Sequence, residues 1–204
     1  MNPLNTVKGT IIGGFVIAFV IAILVPTGAT WNTPSLLAWL HVLAGITWIG
    51  LLYYFNFVQV PALADAAADD GGPGGAAITK YVAPRALWWF RWGAVGTWLT
   101  GAAYLAHLGQ LHNAFSLGFA PNSAGNALWI GIGAWLGTIM LFNVWVLIWP
   151  NQKKILGIVE ASADEIAKAR RVAFLASRTN TLLSIPMLMS MVSFGHAGFF
   201  FGGM

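Results

Sequence analysis

Five long apolar stretches constrain this chain more than any other feature. They run roughly over residues 10–25, 36–60, 84–109, 127–149 and 172–200. A helix crossing a bilayer needs about 20 mostly apolar residues, and a soluble domain carries roughly 25% charged residues. Here 8% of residues are charged and 58% are hydrophobic, too few charges to cover a water-facing surface. The pattern predicts an all-α, polytopic membrane helix bundle of five transmembrane helices, one domain over residues 1–204. Pro26, Pro61 and Pro150 stand where the first, second and fourth spans should stop, and Pro186 inside the fifth predicts a kink.

The basic residues orient the spans. Lys8 lies at the start of the chain. Lys80, Arg85 and Arg91 lie between spans 2 and 3 or in the first turns of span 3. Lys153, Lys154, Lys168, Arg170, Arg171 and Arg178 lie between spans 4 and 5 or in the first turns of span 5. Residues 26–35, residues 110–126 and the C-terminus contain none. The positive-inside rule then places the N-terminus in the cytoplasm and the C-terminus in the periplasm of a bacterial inner membrane. The net charge of +4 follows from topology and does not indicate nucleic acid. The first span has no A-x-A-like site at its end, so no cleaved signal peptide is expected. With no cysteine, disulfides, thiolate metal sites, iron–sulfur clusters and c-type haem attachment are excluded. Residues 64–75 read as a flexible cytoplasmic loop. Ser162-x-x-Glu165 reads as a capping box opening a helix that runs into span 5, with Asp164 and Lys168 as an i,i+4 pair.

Trp48-x-Gly50-x4-Phe55-Asn56 in span 2 recurs as Trp135-x-Gly137-x4-Phe142-Asn143 in span 4, an offset of 87 residues that also carries Arg91 onto Arg178. Spans 2–3 and 4–5 therefore read as a parallel internal repeat, with a four-helix core and span 1 outside it.

His41, His107 and His196 fall near the outer ends of spans 2, 3 and 5, within roughly 10 Å of the boundary, and His112 lies in the loop just beyond. Ionisable groups in a membrane usually face the bundle interior. Gly93, Gly96, Thr100 and Tyr104 lead to His107, and Ala44, Gly45 and Trp48 lie below His41. Such faces suit a porphyrin and equally suit close helix packing. Neutral imidazole ligates haem iron, and without cysteine a bis-His haem b is the natural choice. Copper or zinc on the same histidines, and purely structural histidines, remain open. Met187, Met189 and Met191 alternate around span 5 and read as packing, although Met189 shares the face of His196. Arg91, Arg178, Asn56, Gln59, Asn143 and Asn180 form a polar group in the inner half of the spans. Arg91 and Arg178 are candidates for an anion or a haem propionate, or simply snorkel to the interface.

HVLAGITWIGLLYYFNFVQVPAL from His41, RALWWFRWGAVGTWLTG from Arg85, MLFNVWVLIWPNQKKILG from Met140 and ASRTNTLLSIPMLMSMVSFGH from Ala176 resemble the membrane domain of the bacterial cytochrome c-linked urate oxidases, the urate oxidase N-terminal domain. The resemblance implies a membrane-embedded redox module and favours His41 and His196 as axial ligands, with His107 as competitor. The family's longer members have more membrane helices and end in a c-type cytochrome domain. This sequence stops at Met204 without a CxxCH motif, so urate oxidation by this chain alone is not expected. The expectation is a haem b-binding redox protein, or a subunit of a respiratory or photosynthetic complex, embedded in lipid and serving a periplasmic c-type cytochrome or a larger complex. A non-catalytic accessory subunit is the alternative.

Overall fold

A computed structural model describes residues 2–24, 31–121, 123 and 127–196, and among these every regular element is helical. The helices are α1 (Val7–Leu24), α2 (Thr33–Ala68), α3 (Ala83–His107), α4 (Leu111–Phe115), α5 (Ala127–Ile155) and α6 (Ala163–Gly195). The predicted ends of the first and fifth spans, Val25 with Pro26 and Phe200, lie outside the described residues. The chain divides into two compact units, residues 1–33 and 34–204. The first holds α1, which has a mean hydropathy of 2.3 and no buried residue.

In the second unit, α2, α3, α5 and α6 share one core. Trp48, Leu52 and Phe55 from α2 meet Leu87, Phe90 and Ala94 from α3, Met140 and Val144 from α5, and Ala176 and Met187 from α6. A smaller cluster of Leu105, Ala114 and Ile130 fixes the end of α3 and the short α4 against α5. α5 and α6 pack extensively, with a small residue of α5 facing a methionine of α6. A Cβ on Gly133 would lie 3.1 Å from Met191 Cε. Polar side chains collect inside: Asn56, Gln59, Asn143, Asn180, Ser184 and Ser190 are buried. Large apolar ones such as Ile46, Phe57, Leu99, Val146, Leu182 and Ile185 are exposed. Soluble proteins rarely expose so much contiguous apolar surface. Three helices, α1, α2 and α5, are long and apolar enough to cross a membrane, and the whole arrangement is consistent with a membrane protein. α3 and α6 are long enough as well. They are less apolar because α3 carries Arg91 together with several Trp, Gly and Thr, and α6 carries Arg178, Asn180 and several Ser and Thr along its apolar part.

The prolines do not stop the helices where the sequence predicts. α2 continues past Pro61 to Ala68, so the first part of the expected loop over residues 64–75 is helix, and α5 continues past Pro150 to Ile155. Each helix widens into a π-helical stretch first, Tyr54–Gln59 in α2 and Asn143–Ile148 in α5. A third π-helical stretch, Ile78–Val82, leads into α3 ahead of Pro84. In each case the residue just before the proline donates its N–H five residues back: Val60 to Phe55, Ala83 to Ile78 and Trp149 to Val144. Proline lacks an N–H and its ring collides with the carbonyl four residues earlier. A wider turn ahead of it relieves that collision without ending the helix. Pro186 sits inside α6 and does not end it.

The capping box forms as expected. The Ser162 hydroxyl accepts from the Glu165 N–H, and the Glu165 carboxylate accepts from the Ser162 N–H at 2.9 Å. Glu165 also pairs with Lys154 Nζ at 3.1 Å, joining the end of α5 to the start of α6; this, rather than Asp164–Lys168, is the ion pair among the described residues. The Ser162 N–H, followed by Lys154, holds the Glu165 carboxyl below its ordinary value. A depressed carboxyl contributes stability above its unfolded value, about 4, and loses it as pH falls through the folded value. Glu165→Gln should therefore lower the thermal midpoint slightly at pH 7, by no more than a few degrees for an exposed pair. The difference from wild type should vanish near pH 3 in a detergent melt.

Candidate functional site

The candidate site is built around His41, half-buried on α2. Its Nδ1 lies 2.8 Å from the Thr97 carbonyl oxygen on α3. A carbonyl only accepts, so Nδ1 carries the proton and donates, and Nε2 keeps its lone pair. This is the orientation found in metal-ligating histidines, whose second nitrogen is tethered to a carbonyl or carboxylate. Glycine at 101 makes the seat possible: a Cβ there would lie 2.8 Å from both His41 Nδ1 and Cε1. Around the seat, the Thr97 hydroxyl donates to the Gly93 carbonyl at 2.7 Å, and the Thr100 hydroxyl donates to the Gly96 carbonyl at 2.6 Å.

The small-residue faces meet each other. A Cβ on Gly93 would lie 3.2 Å from Trp48 N, and one on Gly96 would lie 3.4 Å from Ala44 Cβ. The Ala44–Trp48 face of α2 thus packs on the Gly93–Gly96 face of α3, and a porphyrin has no room between them there. The Nε2 edge of His41 is the side left for a metal.

His41 sits level with Thr97 and Gly101, whereas His107 ends α3 six residues beyond Gly101, roughly 9 Å further along the axis. His196 follows Gly195 at the end of α6, two residues past Phe194, which packs on the outer cluster with Tyr104 and Leu111. His107, His112 and His196 are exposed. His196 Nδ1 lies 3.0 Å from the Val192 carbonyl, so its Nε2 is free as well. Among the described residues no three His, Asp or Glu gather as a metal group. Met187 is buried in the core and Met191 packs against Gly133. Met189 is half-buried, and its carbonyl accepts from the Ser193 hydroxyl.

The inner polar residues form two separate arrangements. Asn143 Nδ2 donates to Asn180 Oδ1 at 2.8 Å, and Asn180 Nδ2 donates to the Met140 carbonyl at 3.0 Å. Asn56 Nδ2 donates to the Leu52 carbonyl and to Ser177 Oγ, each at 2.8 Å. The two arginines differ. Arg91 is buried; its Nε donates to the Leu87 carbonyl, and its guanidinium carbon lies 3.2 Å from the Trp149 ring centroid. Arg178 is exposed and lies 5.3 Å from the Phe174 ring centroid. The cation–π contact offsets part of the cost of burying the Arg91 charge.

The sequence reading missed Thr97 and Gly101. A glycine and a threonine carbonyl leave no separate signature in an apolar span already rich in both residue types.

Residues 108–203 match the family model described as urate oxidase N-terminal. That segment holds the resembling stretches from Met140 and Ala176, along with His112 and His196. His41, Arg91 and His107 lie before it. No curated protein and no solved structure matches the chain.

Gly101→Ala should push the His41 ring off the Thr97 carbonyl. Nitrogen-15 spectra of histidine-labelled protein should show Nδ1-protonated signals for His41 and His196 in wild type, and the His41 signal, assigned by its loss in His41→Ala, should change tautomer population in Gly101→Ala. An unchanged His41 signal in folded variant protein would contradict the seat.

Proposed function

We propose that this chain is a membrane-embedded redox protein, or a subunit of a respiratory or photosynthetic complex, that binds haem b near the periplasmic face. The observation that carries this reading is the His41 seat, with Nδ1–H held by the Thr97 carbonyl and Nε2 free. Its geometry fits an axial ligand. His196, whose Nε2 is also free, and His107 are the candidates for the second position, although both lie further out than His41. Haem b, when bound, supplies one-electron chemistry. The chain's own part is to fix the imidazole tautomer, raise its basicity through the carbonyl contact, and keep water from the inner face of the ring with the packed α2–α3 interface. A periplasmic c-type cytochrome is the electron partner this placement suits. The match to the urate oxidase N-terminal family supports a redox setting.

Topology belongs to the same proposal: α1, α2, α3, α5 and α6 span the bacterial inner membrane, with the N-terminus cytoplasmic and the C-terminus periplasmic. The basic residues support it, all lying on one side of such an arrangement. In the parallel repeat of the same proposal, Asn56 and Asn143 both lie in π-helical stretches, but these stretches begin at Tyr54 and Asn143, an offset of 89 rather than 87. The partners of the two side chains differ as well, so the repeat rests on the sequence motif.

One observation favours the accessory-subunit reading. Trp88, Trp89 and Trp92 are exposed on α3, a surface that suits packing against another membrane protein.

Purified protein should give a reduced-minus-oxidised haem b spectrum and a pyridine haemochrome of about one haem per chain. His41→Ala should lower haem occupancy at least tenfold. Colourless folded protein, made with ample haem, would overturn the haem reading, and metal analysis of the same sample would detect copper or zinc instead. Because the chain has no cysteine, topology is tested with single cysteines. An impermeant maleimide should label Phe119→Cys in intact spheroplasts and Val159→Cys only after permeabilisation; the reverse pattern would invert the orientation.

A further inference from the structure

A cavity of about 700 Å³ lies among α2, α3, α5 and α6. Its lining on α3 ends at Phe90, about two turns short of Thr97, where His41 sits. It is a separate place in the bundle and stands or falls without the haem reading, resting only on the chain being in a membrane. On α2 the lining runs from Phe55 to Ala67, roughly 18 Å along the axis. That is close to one leaflet's share of a hydrocarbon core about 30 Å thick. Phe55, Leu87, Phe90 and Ile148, at one end, are buried, whereas Ala64, Ala67, Arg170 and Arg171, at the other, are exposed. The cavity therefore opens at the end of the bundle where the basic residues gather and closes in the core.

Charge and polarity are divided along its length. The open end carries two cations, Arg170 and Arg171, and no Asp or Glu is in the lining. The ion pair among the described residues, Lys154 with Glu165, leaves both arginines out. A guanidinium matches the fork of phosphate or carboxylate oxygens. The closed end is walled mainly by apolar and aromatic side chains. Asn56 Nδ2 is committed to Leu52 and Ser177, and Gln59 Oε1 is fully buried, so neither selects a polar ligand there. A water-soluble anion would use the arginines and leave the apolar depth empty. A neutral amphiphile would fill the depth and make no use of the arginines. A ligand with an acidic head and an acyl chain uses both, and basic pockets between spanning helices at a membrane surface are where anionic headgroups bind.

We propose that this cavity takes the acyl chain of an anionic amphiphile from the surrounding bilayer, with its phosphate or carboxylate head at Arg170 and Arg171 and its chain running inward towards Phe55 and Phe90.

The test uses the full chain, purified in a neutral detergent and titrated with lipid by native mass spectrometry. Phosphatidylglycerol and palmitate are the acidic probes, and phosphatidylcholine and hexadecanol are their counterparts without net charge. At least one acidic probe is expected to bind about tenfold more tightly than its counterpart. Preference for phosphatidylglycerol would identify a bilayer phospholipid as the source, and preference for palmitate alone a free fatty acid. The double variant Arg170→Gln with Arg171→Gln should lower that affinity by about tenfold, the loss of two basic contacts. Ala64→Trp, at an exposed lining position, keeps both arginines and should lower it by about as much by filling the cavity. Ala67→Trp takes its place if the Ala64→Trp melting profile departs from wild type. Glycerol 3-phosphate, a head without a chain, should bind at least about a hundredfold more weakly than the preferred probe. No preference for either acidic probe, equal binding of glycerol 3-phosphate, or a preference that survives the arginine or the tryptophan variant would overturn the proposal. Survival in the tryptophan variant alone would mean that the head merely pairs with surface charge.

Discussion

Nothing in a lipid core offers a hydrogen bond, so every polar group placed there must find its partner within the protein. The four-helix unit is organised by that constraint. Asn143 and Asn180 satisfy each other and the Met140 carbonyl, and Asn56 ties the middle of α2 to Ser177 of α6. The Tyr53 hydroxyl and Ser184 Oγ lie 2.9 Å apart, and the Trp98 indole donates to Thr138 at 2.9 Å. These contacts give the bundle a register that dispersion among apolar side chains would not specify. Among the described residues, Gln59 Oε1 and the indole nitrogens of Trp48 and Trp145 are buried without such a match.

The prolines are accommodated by the backbone itself. A proline removes a donor, and its ring collides with the carbonyl four residues earlier. Pro61, Pro84 and Pro150 each follow a π-helical stretch whose last donor reaches five residues back. The backbone is re-registered and the helix continues. In α2 and α5 the widened turns hold Asn56 and Asn143, the two amides that reach across to α6. The π geometry thus places side chains as well as relieving clashes, in line with its frequent occurrence at functional positions.

The α2–α3 contact carries the other chemistry of the unit. Gly93 and Gly96 admit the α2 backbone, and that approach brings the Thr97 carbonyl within reach of His41 while Gly101 leaves space for the ring. The small residues act through helix packing here, and the histidine seat follows from the packing.

The helical class, the five long segments and the capping box at Ser162 were legible in the sequence because each rests on local chemistry: apolar length, charge placement, and a hydroxyl three residues from a carboxylate. The stopping points at Pro61 and Pro150 were misread because a proline signals a lost donor, whereas the remedy depends on the neighbouring turns. Counting residues from a span's end gives a position along one helix, whereas the level at which His41 meets Thr97 is set by the packing of α2 on α3. What the sequence by itself determined is which segments are helical and apolar, since that follows from composition along one chain. Only the tertiary structure decided that His41 leaves Nε2 free, that Arg91 stacks on Trp149 while Arg178 is exposed, and that Asn143 pairs with Asn180. Each of these depends on atoms contributed by a second helix, distant in sequence, and no local pattern encodes where that helix will lie.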